Sequence, residues 1–135
     1  MNNETLKKIS TELSDKPRGI LAADESTGTI KKRFDLINLE SNFENRRKYR
    51  ELLFSSPDLG NFISGVILFD ETIKQKDKNG KSFCHLLKDS NIHVGIKVDA
   101  GAKNLAGSNE EKITEGLDNL NDRMQEYAQL GATFA

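Results

Sequence analysis

Apolar residues along the chain fall into two alternating patterns. Short apolar runs occupy 19–23, 65–69 and, with His93 and Lys97 set into it, 92–98, and each is followed directly by an acidic residue (Asp24, Asp70 and Asp99). Between the runs, apolar positions recur at helical spacing. Leu6, Ile9 and Leu13 mark a first helix, ended by the polar stretch through Pro17 and Gly19. Ile30 and Phe34 mark a second, with Ser26 placed to cap its start. Residues 44–54 form a third, with Tyr49, Leu52 and Leu53 expected on its apolar side and Arg46, Arg47 and Arg50 among its charges. Phe83 to Leu87 suggests one or two further turns. Leu117, Leu120, Met124 and Tyr127 mark an amphipathic helix near the end.

The apolar runs read as strands, the first buried on both faces as in a parallel sheet. Asn79-Gly80 reads as a two-residue hairpin turn. Residues 101–111 read as a loop or small hairpin, and 131–135 as the entry to another strand. Strands alternating with helices imply an α/β fold with a parallel sheet. A Rossmann-type sheet lacks support, since no Gly-x-Gly-x-x-Gly follows the first strand. Acidic residues just past strand ends suit a (β/α)8 barrel, whose active site lies at that end. Such a barrel needs roughly 250 residues, whereas these 135 hold about three strands with their helices. Residues 1–135 are therefore expected to be the N-terminal portion of one incomplete barrel domain.

Composition narrows the function classes. The chain is 36% hydrophobic and 30% charged, with a formal charge of −1. That balance is a poor footing for general nucleic-acid affinity, which rests on excess basic charge, but leaves room for a local cationic pocket for a small anion. No stretch approaches the roughly 18 apolar residues of a membrane span, and no signal peptide is visible at Met1–Lys8. A cytoplasmic protein is the default expectation. A single cysteine, Cys84, excludes an internal disulfide and reads as a small buried filler. His85 and His93 have no companion at zinc-ligand spacing, so no metal is expected.

Three groups of residues carry candidate chemistry. Asp24 and Glu25 stand at a strand end beside hydroxyls at Ser26, Thr27 and Thr29. Paired carboxylates there can move protons or orient a lysine; they can equally do no more than favour the start of the next helix. Ser26 to Thr29, followed by Lys31, Lys32 and Arg33, could hold a phosphate, or form a solvated basic helix face. Lys97 interrupts an apolar strand. A buried ammonium must be paired or functional, so it faces a pocket or forms a salt bridge, for example to Asp24 or Asp99.

Residues 19–30, with Asp24, Glu25, Ser26 and Gly28 in order, strongly resemble the first strand and turn of class I fructose-bisphosphate aldolases. Residues 44–50, 65–69, 94–99, 105–109 and 131–135 resemble later segments of that family in the same order, so the likeness covers almost the whole chain. The resemblance implies a (β/α)8 barrel that reversibly cleaves fructose 1,6-bisphosphate into dihydroxyacetone phosphate and glyceraldehyde 3-phosphate. It does so through a lysine Schiff base, without a metal or other cofactor, commonly as a homotetramer. Asp24 is similar to the family's active-site aspartate, and Arg33 to an arginine that binds a substrate phosphate, with Lys32 beside it. Ser26 and Thr29 fall where hydroxyl residues line that subsite; the second is typically serine. Glu25 and Lys97 match charged residues of the active-site network, and Arg46 an arginine of the following helix. The imine-forming lysine, the acid/base glutamate and the second phosphate site lie, by the same resemblance, beyond Ala135. These 135 residues alone are then expected to be inactive. A non-catalytic module that binds phosphate or pairs with a complementary fragment is the alternative.

Overall fold

The computed structural model describes residues 2–135. Helix α1 (Asn3–Leu13) starts under an Asn2 side chain that accepts from the Thr5 N–H at 2.8 Å. Strand β1 (Gly19–Ala23) leads into α2 (Thr27–Asp35), and α3 (Phe43–Phe54) follows. A 3₁₀ turn at Leu59–Asn61 precedes β2 (Ile63–Leu68) and the short α4 (Asp70–Ile73). Helix α5 (Phe83–Asp89) and strand β3 (His93–Ile96) come next. Strands β4 (Gly101–Asn104) and β5 (Lys112–Glu115) form a separate antiparallel hairpin, and α6 (Leu120–Leu130) closes the order.

Strands β1, β2 and β3 pair in parallel in that order. The ladder is already continuing beyond β3. The Thr133 N–H donates to the Val94 carbonyl at 2.8 Å and the Ile96 N–H to the Phe134 carbonyl at 3.1 Å, so a further parallel partner begins where expected. Strand alternation sends Val66, Leu68, Val94 and Ile96 into the helical layer. There they join Phe54, Ile73, Phe83, Leu87 and Tyr127 in one buried cluster. Phe54 meets Phe83 edge to face at 5.3 Å between centroids. Cys84 belongs to the same cluster, and burial pushes its thiol up to about 11, as a buried filler requires.

The opposite sheet face is open. A methyl group added at Gly65 would lie 2.6 Å from Leu13 Cδ2 and 3.1 Å from the Phe134 ring. The small residue thus lets α1 and Phe134 close over one end of the sheet. Ile20 on the same face remains 49% exposed.

Several local expectations are corrected. Strand β1 is not buried on both faces: only Ala23 is fully buried, because among the described residues β1 is an edge strand with no strand paired on its outer side. The third strand is four residues long, not seven. The Lys97 N–H still donates to the Leu68 carbonyl at 2.9 Å, and the chain then peels away. In α3, Leu52 is 70% exposed and Arg50 is buried, because the helix turns Arg46, Arg50 and Phe54 (one residue per turn) toward the sheet. Leu117 lies outside α6 and is exposed. The turn at Asn79-Gly80 is not a two-residue turn. Only Gly80 has positive φ (+84°), the Gly80 N–H returns to the Asp77 carbonyl, and the Asp77 carboxylate accepts from the Asn79 and Lys81 N–H groups. A two-residue type I′ turn needs positive φ at both positions.

Replacing Phe83 by alanine should cost about 3–5 kcal/mol, as a buried aromatic does. Leu52→Ala should stay within about 0.5 kcal/mol of wild type. Urea unfolding of the two variants checks this inside-out assignment of α3 and α5.

Candidate active site

The site begins with register. Ala23 pairs with Leu68 and Leu68 with Ile96. The next residues along the three strands, Asp24, Phe69 and Lys97, therefore stand side by side at the carboxyl ends. All three line a cleft of about 590 Å³, with Glu25, Ser26, Thr29, Asp99, Ala100 and Gly101. The Lys97 ammonium pairs with Asp99 and lies 3.8 Å from Asp24 Oδ2. Asp99 is itself fixed, because its Oδ1 accepts the Gly101 N–H at 2.9 Å. The Lys97 hydrogen bond, helped by that N–H and opposed by burial, holds the Asp99 carboxyl below the usual carboxylate range. Ser26 caps α2: its Oγ lies 3.4 Å from the Thr29 N–H and 3.2 Å from Thr29 Oγ1. Two hydroxyls and the positive end of a helix thus face the cleft.

Glu25 joins the cleft to α2 and α3. One carboxylate oxygen meets Arg33 and the other Arg50. Arg50 also donates to the Glu25 carbonyl at 3.1 Å. Burial pushes the Glu25 carboxyl up. The Arg50 hydrogen bond leads several opposing effects that together bring it below its ordinary value. Arg33 is half exposed, and its Nη1 also donates to the Tyr49 hydroxyl at 3.2 Å. Arg46 lies outside the cleft and is forked onto Glu71 through two 2.7 Å bonds, with a third to the Ser41 carbonyl. Lys32 is exposed on α2 and does not line the cleft.

Of the residues singled out in the sequence, Asp24, Glu25, Ser26, Thr29 and Lys97 are thus gathered around one space. Arg33 does not line it but is paired with Glu25, which does; Arg46 and Lys32 stand apart. Of the two fates weighed for Lys97, the salt bridges to Asp99 and Asp24 are present, and the side chain also faces the cleft. Sequence reasoning passed over Arg50, counted there only among the charges of its helix. Its spacing of four from both Arg46 and Phe54 was the signal that all three share one inward stripe. Asp99 was considered only as a salt-bridge partner. A larger cavity of about 660 Å³ opens at the opposite end of the sheet, where His93 Nε2 is 2.8 Å from Glu12 and no comparable set of strand-end carboxylates and lysine converges.

A parallel ladder with its charged cleft at the carboxyl ends of the strands is the arrangement found in the opening part of a (β/α)8 barrel. Comparison with known proteins makes this specific. The family model described as fructose-bisphosphate aldolase class-I matches residues 5–135, and the chain belongs to that family. It is 51% identical over 135 residues to a probable fructose-bisphosphate aldolase class 1 of Xanthomonas campestris, covering all of this chain and 40% of that protein. It is 52% identical over 132 residues to fructose-bisphosphate aldolase 5, cytosolic, of Arabidopsis thaliana, covering 98% of this chain and 37% of the relative. A solved structure of fructose-bisphosphate aldolase from Plasmodium falciparum, in complex with TRAP and a small-molecule inhibitor, superposes with a TM-score of 0.94 at 53% identity. It covers 98% of this chain and 38% of that one. The chain therefore spans about two fifths of the length of the relatives it matches.

The depressed Glu25 carboxyl has a consequence for acid stability. A carboxylate whose folded value lies below its unfolded value, about 4.3, adds stability above that pH. The contribution is lost as pH falls through the folded value. Urea unfolding from pH 7 downward should show stability falling below about pH 4.3, with a smaller fall in Glu25→Gln.

Proposed function

We propose that the protein containing this chain is a class I fructose-bisphosphate aldolase that cleaves fructose 1,6-bisphosphate to dihydroxyacetone phosphate and glyceraldehyde 3-phosphate through a lysine imine. The observation that carries the reading is the cleft where Asp24 and Lys97 meet beside the capped start of α2. In this reading the imine lysine and the acid/base glutamate come from the part of the family fold after Ala135. The protonated imine draws the C3–C4 bonding electrons as the C4 hydroxyl gives up its proton, and the resulting enamine is reprotonated at C3.

The residues of this chain supply the surroundings of that step. Ser26, Thr29 and the α2 N–H groups, with Arg33 and Lys32 beside it, receive a phosphate of the substrate. Asp24 sets a negative charge where the cationic imine forms and supports proton movement at the sugar hydroxyls. Lys97 sets a positive charge next to Asp24, and Glu25 and Arg46 belong to the surrounding charged network. No cofactor enters this scheme. A homotetramer in the cytoplasm is proposed for the whole protein. The cytosolic Arabidopsis relative supports the location, and among the described residues no helix is long and apolar enough to cross a membrane.

A second reading, a non-catalytic module that binds phosphate or pairs with a complementary fragment, draws on the open sheet face, where Leu6 and Ile20 are about half exposed. The two readings are separated by placing these residues in the P. falciparum aldolase in exchange for its matching segment. The chimera should cleave fructose 1,6-bisphosphate and be trapped by borohydride only in the presence of substrate. Asp24→Asn should lower kcat by about 10²–10⁴-fold. A folded chimera without turnover would favour the module. Retro-aldol activity from the 135 residues alone would contradict the assignment of the imine lysine to the later part of the fold.

A further inference from the structure

The best-buried cation among the described residues has no part in the proposed chemistry. Arg50 is 2% exposed and gives its hydrogen bonds to a single residue, meeting Glu25 at Oε2 and at the main-chain carbonyl. That double grip fixes the side chain and backbone of Glu25 together, directly after Asp24. Glu25 in turn offers its second oxygen to Arg33. The two arginines differ sharply in setting: the Arg33 side chain is 53% exposed and Arg50 is enclosed.

We propose that Arg50 is a positioning residue that captures Glu25 and so keeps Arg33 available to a phosphate group. The inference rests on the reading that Arg33 receives substrate phosphate. With Arg50 present, one carboxylate serves two guanidinium groups, and the trio keeps a net positive charge for an incoming dianion. Both contacts of Arg33, to Glu25 and to Tyr49, leave from Nη1. Among the described residues nothing accepts from its Nε or Nη2, which form the side of the fork suited to a phosphate. Tyr49 is held as well, edge to face with Phe34 at 5.7 Å and 5.3 Å from the Arg50 guanidinium carbon. The Arg33 guanidinium therefore has a fixed perch. Without Arg50, both oxygens of Glu25 become free to close a forked pair with Arg33, which neutralises the guanidinium and occupies its fork.

The test uses the full 135-residue chain with two probes. Inorganic phosphate is titrated while the amide signals of Gly28 and Thr29 are followed, and phenylglyoxal modification of Arg33 is timed by peptide mass spectrometry. Arg50→Met should weaken phosphate binding by about fivefold, the scale of one partly exposed charge pair, and slow Arg33 modification. Glu25→Gln should strengthen binding and speed modification. The double variant E25Q/R50M should behave like E25Q, because the competitor that captures Arg33 is gone; a purely structural role for Arg50 would leave it as impaired as R50M. Arg50→Lys keeps the charge and loses the double grip, so it should fall between wild type and R50M and serves where R50M does not fold. Unchanged values in Arg50→Lys, or a double variant as weak as R50M, would overturn the proposal. If wild type ignores phosphate while the phenylglyoxal order holds, the phosphate reading fails and the positioning role stands. If the phenylglyoxal order fails, the positioning role fails whatever the phosphate result.

Discussion

Everything at the candidate site depends on the parallel ladder that aligns β1, β2 and β3. The β1–β2 register shifts once between Gly19 and Ile20 and is then kept through Ala23, and successive side chains alternate between faces. Ala23, Leu68 and Ile96 pair across the three strands and point into the helical layer. The residues that follow must then point to the other side at a common level, and these are Asp24, Phe69 and Lys97. A slip of one residue in β1 or β3 would send Asp24 or Lys97 into the apolar cluster, where an unpaired ion is very costly. The apolar packing of one face thereby enforces the meeting of charges beyond the other.

The charges gathered at this edge are satisfied in small closed groups. Asp99 and Asp24 share Lys97, Glu25 is held by two arginines, and Glu71 takes a forked pair from Arg46. Beyond them, Arg123 donates to the carbonyls of Val98 and Gly116 and ties the base of the β4–β5 hairpin to α6. The same helix is joined to the end of β2 by the Tyr127 hydroxyl, which donates to Asp70 at 3.0 Å. Individually, the exposed members of such groups add little stability. Their effect is to hold loops in place where the ladder no longer can.

Much of this was legible in the sequence because the determining signals are local. Runs at 19–23 and 65–69 announced strands, Ser26 announced the start of α2, and acids past strand ends announced where chemistry would gather. Ordered motifs identified the family. Long-range contacts were not legible. Arg50 reads as one charge among several until α3 is packed, where its stripe meets Glu71 and Glu25 at Arg46 and Arg50 and the apolar cluster at Phe54. Leu52 was assigned inward for the same reason, since periodicity gives a stripe but not its direction when charged and apolar residues share a helix. Lys97 looked like an intrusion into a strand because its apolar neighbours continue to Val98, whereas the ladder ends beside it. The open face of β1 was hidden too: a run of small apolar residues does not reveal that its outer edge has no strand partner among the described residues.

The central claim is that strands far apart in sequence bring Asp24 and Lys97 into one cleft. Zero-length carbodiimide cross-linking of the folded chain, read by peptide mass spectrometry, tests it directly. The account predicts an isopeptide link between Lys97 and Asp24, alongside the link to Asp99 within its own loop, both lost on unfolding in urea. Linkage of Asp24 to a lysine of another element, with Lys97 left unlinked, would contradict it.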